Sequence, residues 1–141
     1  MKDLFSEIKV MRAVSPGFST TDTAIVSQVI DREGFESLTF AIATGVLGDS
    51  NATFTVLIED SDTDFSGTAV DDTLLLGTEA GASFQYDDDN ECRKIGYLGA
   101  KRYVRLTITP SGNSGSPDAA FYSAVAILGG ARKGPLTTQA T

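Results

Sequence analysis

The sequence contains no histidine and no tryptophan, and its one cysteine is Cys92. Without histidine, the chain lacks a Ser-His-Asp arrangement, an imidazole that titrates near neutral pH and an imidazole metal ligand. A lone cysteine forms no disulfide within the chain, and as a nucleophile it would lack its usual histidine base. We therefore interpret Cys92 as a free thiol in a loop, and we expect the protein not to be an enzyme and to need no cofactor.

Long apolar runs are also missing. No window approaches the run of about 18 apolar residues that marks a membrane-spanning helix. Residues 1–17 mix charged with apolar side chains and so differ from a secretory signal peptide. We expect no membrane partner, and we expect synthesis in a cytoplasm.

Positive charge is scarce relative to negative charge. The 141 residues include 11 Lys and Arg against 19 Asp and Glu, which gives a formal net charge of -8. A domain with this balance repels a nucleic acid backbone, so we expect no nucleic acid partner. The length fits one domain and leaves no room for a second.

Short segments rich in Val, Ile, Thr, Phe and Tyr recur along the chain, and connections rich in Asp, Asn, Ser and Gly separate them. The predicted strands are residues 23–30, 36–45, 52–60, 82–86, 93–99, 102–110 and 121–130. This pattern predicts an all-β fold, a single-domain antiparallel β-sandwich of the jelly-roll or immunoglobulin-like kind.

Alternation within two of these strands predicts a buried face. Leu38, Phe40 and Ile42 share one side of the second strand, and Phe54, Val56 and Ile58 share one side of the third. We predict that these two strands are antiparallel neighbours joined by a turn.

The ends of the chain are assigned separately. Residues 1–16 are predicted to form an N-terminal arm or edge strand, residues 17–129 the sandwich, and residues 130–141 an extended C-terminal tail. Between the strands, "DDTLLLGTEAG" is predicted to form one helical turn, capped by Asp71 or Asp72, or an irregular crossover.

Acidic residues crowd into two connections and raise two alternatives. One is a catalytic carboxylate pair, but these acids are contiguous turn residues. The other is a calcium loop, because the spacing of four aspartates echoes a D-x-D-x-D loop, namely Asp60, Asp62, Asp64 and Asp71. Phe65 occupies the position where such a loop needs glycine, so the main expectation is no metal, with these aspartates as weak candidates.

Basic residues cluster in the stretch "RKIGYLGAKRYVRLTITP" and in the tail. We predict that they form a surface that docks on an acidic partner, with Tyr97 and Tyr103 flanking an exposed hairpin turn. The candidate docking residues are Lys94, Tyr97, Lys101, Arg102, Tyr103, Arg105, Arg132 and Lys133. The alternative is that the cations only keep a sheet edge soluble, and both interpretations stay open at this point.

Several segments carry a resemblance to a known family. These are "IKVMRAVSP", "VIDREGFESLTFAIATG", "ATFTVLIEDSD", "DDTLLLGTEAGASF", "RKIGYLGAKRYVRLTITP" and "AVAILGGARKGP". Together they span nearly the whole chain, and the most specific part is a K-x-G-Y-x-G-x-K-R-Y-x-R core that begins at Lys94. The chain resembles a family of small proteins of tailed bacteriophages and prophages that are encoded among the virion structural genes near the major capsid protein.

The resemblance implies a virion structural protein. We expect a capsid decoration, or cement, protein on the exterior of the virion, made in the host cytoplasm. Its expected partner is the major capsid protein, and it is expected to be a homo-oligomer, with a trimer favoured. One alternative is a head-tail junction or tail component. Another is a carbohydrate- or host-binding sandwich, which the lack of tryptophan disfavours.

Overall fold

The computed structural model describes residues 3–63, 66–114 and 119–136, and its regular structure is almost entirely β. The helical elements are a 3-10 helix, Asp72–Leu74, and the single-turn helix α1, Glu79–Ala82. The strands are β1 (Ile8–Ser19), β2 (Ile25–Val26), β3 (Ile30–Asp31), β4 (Phe35–Leu47), β5 (Thr53–Ser61), β6 (Thr68–Ala69), β7 (Leu75–Leu76), β8 (Phe84–Gln85), β9 (Cys92–Tyr97), β10 (Tyr103–Ser111) and β11 (Ala120–Ala131).

The strands form two antiparallel sheets. The five-stranded sheet has the order β1-β11-β4-β9-β7. The six-stranded sheet follows the path β2-β10-β5-β6, with β3 also paired to β10 and β8 to β5. The two sheets enclose a single cluster of buried apolar residues. The predicted all-β antiparallel sandwich is confirmed.

The core is built from alternate residues of the long strands. The side chains predicted to face inward are at most 1% exposed, as are their equivalents on β10, and these residues are Leu38, Phe40, Ile42, Phe54, Val56, Ile58, Val104, Leu106 and Ile108. Burying one such side chain contributes about 1.5–3 kcal/mol relative to leaving it in water. The apolar residues that alternate in the sequence are therefore the ones that form the core.

The predicted pairing of residues 36–45 with 52–60 is wrong. β4 pairs with β11 and β9 in one sheet, whereas β5 pairs with β10 in the other. The turn residues between them carry the chain from sheet to sheet, and Asp49 anchors this turn by accepting hydrogen bonds from the backbone N–H of Asn51 and of Ser114. Each of the two strands buries one face. A sandwich can bury both faces whether the strands lie in opposite sheets or side by side in one sheet.

The predicted hairpin around "GAKRY" is also wrong. β9 lies in the five-stranded sheet and β10 in the six-stranded sheet, so this stretch crosses between the sheets. Tyr97 is opposite Leu38 and Leu75 in its ladder, whereas Tyr103 is opposite Ser61. The two tyrosines therefore do not pair across a hairpin.

The segments outside the central strands are ordered by local contacts. β1 forms an edge of the five-stranded sheet and pairs along β11, with two register shifts between Arg12 and Gly17. The backbone N–H of Leu136 donates to the carbonyl oxygen of Ser6, so the described ends of the chain meet. Asp71 caps the 3-10 helix by accepting from the backbone N–H of Thr73, which confirms the predicted helical turn and its cap.

Candidate functional site

The predicted docking residues lie on several different surfaces. Lys101, Arg102 and Arg132 lie at one end of the sandwich, where the chain crosses from β9 to β10. Lys94 is exposed on the outward side of the five-stranded sheet, where it lies opposite Ala41 of β4. Tyr103 and Arg105 occupy the outward positions of β10 in the other sheet, and Lys133 is exposed just after β11.

Tyr97 is inside the fold. Its side chain is 2% exposed, and its hydroxyl donates to Oδ2 of Asp60 at 2.7 Å. The backbone N–H of Lys101 donates to the same hydroxyl, and the guanidinium of Arg32 lies 5.3 Å from the ring centroid. Burial, together with the hydrogen bond to Asp60, raises the pKa of Tyr97 to about 12. The ring is therefore used within the sandwich and is not presented to a partner.

Most of the predicted docking cations form ion pairs with acids of the same chain. Arg102 forms a two-pronged pair with Asp31, at 2.9 and 2.7 Å, and also contacts Glu33. The hydrogen bond from Arg102 holds the pKa of Asp31 below its usual range. The remaining pairs are Lys101 with Asp60, Arg105 with Glu59, and Arg132 with Glu36. The charge separation along the sequence is thus largely cancelled by folding.

Arg32 belongs to the same end of the molecule and was not among the predicted residues. Its guanidinium donates to the carbonyl oxygens of Lys101, at 2.5 Å, and of Gly99, at 2.8 Å, which holds the crossover in place. A shallow depression there is lined by Arg32, Glu33, Arg102 and Arg132 among others. We call this region the crossover end. The sequence signal for Arg32 was the "DREG" run before β4, and such charge runs are common on solvated surfaces.

The weak calcium candidates are not gathered into a site. Asp60 is buried and bonded to Tyr97 and Lys101, Asp71 caps the 3-10 helix, and Asp62 is exposed. Asp64 lies outside the described residues. Within residues 3–63, 66–114 and 119–136, no three side chains of the His, Cys, Asp or Glu types are grouped in a way that could hold a metal ion.

A second surface was not predicted: the outward side of the five-stranded sheet. Ladder partners point to the same side of an antiparallel sheet, so the register identifies the outward residues. One row joins Val10, Ile127, Thr39, Gly96 and Leu76, and the next joins Arg12, Val125, Ala41 and Lys94. A further row joins Ser123, Ala43 and Cys92, so the free thiol of Cys92 is exposed on a strand and not in a loop as predicted. We call this surface the outer sheet face.

Large apolar side chains lie at the margins of the outer sheet face. Phe18 and Phe121 are 62% and 47% exposed, although their ring centroids are only 5.8 Å apart. A Cβ atom at Gly45 would lie 3.0 Å from Cβ of Phe121, and one at Gly96 would lie 3.0 Å from Cβ of Leu76. Each glycine thus lets a large apolar residue lie across the neighbouring strand. The sequence signal for this face was the run of small alternate residues in β4, from Ser37 to Gly45.

Apolar side chains are exposed in two adjoining rows of this face. Val10 and Leu76, 44% and 58% exposed, lie at opposite edges of one row, and Val125, 37% exposed, lies beside that row on β11. Contiguous apolar patches on soluble proteins mark interaction surfaces. None of the helices in the part of the chain that the structure describes has the length and apolar character to cross a membrane.

The fold is shared with proteins of known structure. No family model and no curated protein sequence matches the chain. The PBSX exported protein XepA has the same fold, with a TM-score of 0.56 at 13% identity over 92% of this chain. The chain spans 40% of the length of that protein.

Two viral structures show weaker similarity. The TM-score is 0.48 at 14% identity for a chain in the structure of infectious bursal disease virus Gx strain, over 86% of this chain and 31% of that one. For the Tobacco streak virus coat protein it is 0.38 at 12% identity, over 98% of this chain and 95% of that one. The XepA match shows a common sandwich fold and by itself assigns no activity.

Proposed function

We propose that the protein is a non-enzymatic structural component of a phage virion, and specifically a capsid decoration protein. It binds the outside of the shell and bridges neighbouring major capsid subunits. Two kinds of support converge on this proposal. The sequence resembles small virion proteins encoded near the major capsid protein, and the fold is shared with an exported protein of the phage element PBSX.

The observation that carries the proposal is the outer sheet face. The sandwich closes its own core, and yet it leaves Val10, Phe18, Leu76, Phe121 and Val125 exposed on one side. A stable domain with such a face is suited to bind another protein surface. The chain has no histidine, so no imidazole is present to support an acid-base site instead.

The mechanism is stabilisation by binding. A protein that binds the assembled lattice and not its separated subunits shifts the equilibrium toward the lattice. Contacts that span a seam between subunits oppose its opening. A homotrimer at local symmetry axes would present several copies of one face to equivalent capsid subunits.

The proposal is tested by measuring the copy number of this chain in purified virions, with quantitative mass spectrometry against the major capsid protein. Decoration predicts a ratio near one copy per capsid subunit. A ratio corresponding to a single ring would instead assign the chain to the head-tail junction or the tail. Absence from virions would refute the structural role.

A further inference from the structure

We propose that the outer sheet face, and not the crossover end, is the surface that docks, and that its occupant is a capsid protein surface with an apolar strip flanked by carboxylates. This inference rests on the proposed function and adds to it the docking surface and the chemistry of the partner. Most of the basic residues that the sequence predicted to dock are thereby assigned no docking role.

The outer sheet face carries charge of one sign. On the outward positions of β1, β4, β7, β9 and β11 that the structure describes, the charged residues are Arg12 and Lys94, and both are cations. The chain as a whole has a net charge of -8. A sheet face that carries only positive charge in so acidic a protein is complementary to a partner that carries negative charge.

Neither of these two cations is paired with a carboxylate of the described residues. Lys94 is exposed and forms no ion pair with any residue that the structure describes. Arg12 is also exposed, and the contact of its guanidinium is a 3.3 Å hydrogen bond to the neutral Oε1 of Gln28. At the crossover end, by contrast, Lys101, Arg102 and Arg132 are all paired with carboxylates. A partner's carboxylate would have to displace those internal pairs, whereas it meets uncompensated charge on the outer sheet face.

The middle of the outer sheet face is built mostly from short side chains. Between the two cations the surface is formed by Ala41 and Val125, and the adjoining rows contain Thr39, Ala43 and Ser123. Apart from Ile127 in the row of Thr39, these side chains are short, so another protein can approach the sheet closely. Leu76 lies across Gly96 on one margin, and Phe121 lies across Gly45 near another. The large apolar groups are thus held in position before binding, which lowers the entropy lost on association.

A second copy of the chain fits this face less well. If two copies packed face to face, Arg12 and Lys94 of one would meet the same cations of the other, and the described outward positions of these strands offer no carboxylate in return. Like charges at an interface suppress association. The occupant is therefore a different surface, one that supplies the carboxylates.

The test uses particles of the phage that encodes this chain, assembled from a genome in which its gene is deleted. The full chain and four variants are added back, and occupancy is measured by cosedimentation. Thr39→Glu places a carboxylate in the middle of the face, and Thr55→Glu makes the same change at an exposed outward position of β5 in the other sheet. Lys94→Glu reverses a charge on the face, and Lys133→Glu reverses an exposed charge elsewhere.

We expect the full chain, Thr55→Glu and Lys133→Glu to bind with affinities within about twofold of one another, because exposed charges away from a contact contribute little. Thr39→Glu and Lys94→Glu should bind about tenfold more weakly or worse, because a mismatched charge in a buried contact is costly. Thermal unfolding checks that all four variants fold. Raising the salt concentration should weaken the binding of the full chain more than the binding of a fifth variant, Lys94→Gln, which lacks that charge.

Other outcomes separate the two proposals. If the full chain binds but Thr39→Glu and Lys94→Glu bind equally well, the outer sheet face is not the docking surface, although the decoration role stands. If the full chain does not bind the particles, the decoration role fails and this inference fails with it. If sedimentation shows that Thr39→Glu and Lys94→Glu dissociate an oligomer without changing particle binding, the occupant is a second copy and the proposed partner is wrong.

Discussion

The hydroxyl of Tyr97 donates a 2.7 Å hydrogen bond to a carboxylate oxygen of Asp60, and this contact joins the two sheets of the sandwich. Tyr97 lies at the end of β9 in the five-stranded sheet, and Asp60 lies in β5 of the six-stranded sheet. The other carboxylate oxygen of Asp60 pairs with the ammonium group of Lys101 at 3.0 Å. A carboxylate that is 4% exposed is therefore satisfied from both sides.

Tyr97→Phe tests how much this contact contributes to the free energy of unfolding. The change removes the hydroxyl and leaves one oxygen of a buried carboxylate without its partner, which costs about 1–3 kcal/mol of the free energy of unfolding. Tyr103→Phe is the matched control, because the hydroxyl of Tyr103 has no hydrogen bond within the described residues. Urea denaturation measures the free energy of unfolding of both variants. Equal stabilities of the two variants would show that the contact contributes nothing.

The same tyrosine predicts a loss of stability at high pH. The pKa of Tyr97 is about 12 in the folded chain, against about 10 for an exposed tyrosine. Between these values the unfolded state has released the proton while the folded state retains it, so the free energy of unfolding falls as the pH rises. Denaturation of the wild type and of Tyr97→Phe between pH 9 and about 12 should show a steeper fall in the wild type. Parallel curves would contradict the prediction.

The sequence was sufficient to predict the sandwich and its inward-facing residues. Alternation reports which face of a strand is dry, and every apolar residue singled out on β4 and β5 is buried. It does not report which strand lies beside which. β4 and β5 are adjacent in sequence and joined by ordinary turn residues, yet they lie in opposite sheets. Local turn chemistry is the same whether the chain turns within a sheet or crosses to the other one.

The candidate site was harder to predict for a related reason. Clustering in sequence suggested one basic surface, but the positions of Lys94, Tyr97 and Arg105 depend on which sheet each strand joins and which way each residue points. The ion-pair partners of Arg102 and Arg132 lie 71 and 96 residues away along the chain. Only the folded structure shows that their charges are compensated. The outer sheet face needed the register of all five strands before its apolar rows became visible.

Gly99→Ala tests the packing of the crossover against Tyr97. A Cβ atom at residue 99 would lie 2.3 Å from the Tyr97 hydroxyl oxygen and 2.4 Å from Cζ of the ring, too close for any real contact. The ring or the crossover must move, which disturbs the hydrogen bond to Asp60. We expect a loss of about 1–3 kcal/mol in the free energy of unfolding, as for other overpacked sites.

Gly17→Ala is the control for that substitution. Its nearest non-neighbouring atom would be a carbonyl oxygen at 3.8 Å, an ordinary contact distance. We expect it to leave the free energy of unfolding within about 0.5 kcal/mol of the wild type. If Gly99→Ala were as harmless, the ring of Tyr97 would have room to move, and the link between the sheets would not depend on its position.

The charge of Arg102 is paired with two carboxylates, those of Asp31 and Glu33. Arg102→Glu places a third carboxylate beside Asp31 and Glu33, so it should destabilise the fold more than Arg102→Gln, which only removes the pair. Weak particle binding by an Arg102→Glu variant would therefore reflect lost stability and not lost docking. Lys133→Glu, whose charge has no ion pair within the described part of the chain, should leave the melting temperature unchanged.

The pH dependence of Arg102→Gln tests whether Arg102 stabilises the fold through its charge. The pair with Arg102 lowers the pKa of Asp31 in the folded chain, so the stability it contributes is present above the pKa of a free aspartate, about 3.9, and is lost as the pH falls through the lowered value. The difference in melting temperature between wild type and Arg102→Gln should thus be full near neutral pH and should close in acid. A difference that persists after Asp31 is protonated would mean that Arg102 stabilises the crossover end through its stacking on Tyr103, 5.0 Å from its ring centroid, and not through its charge.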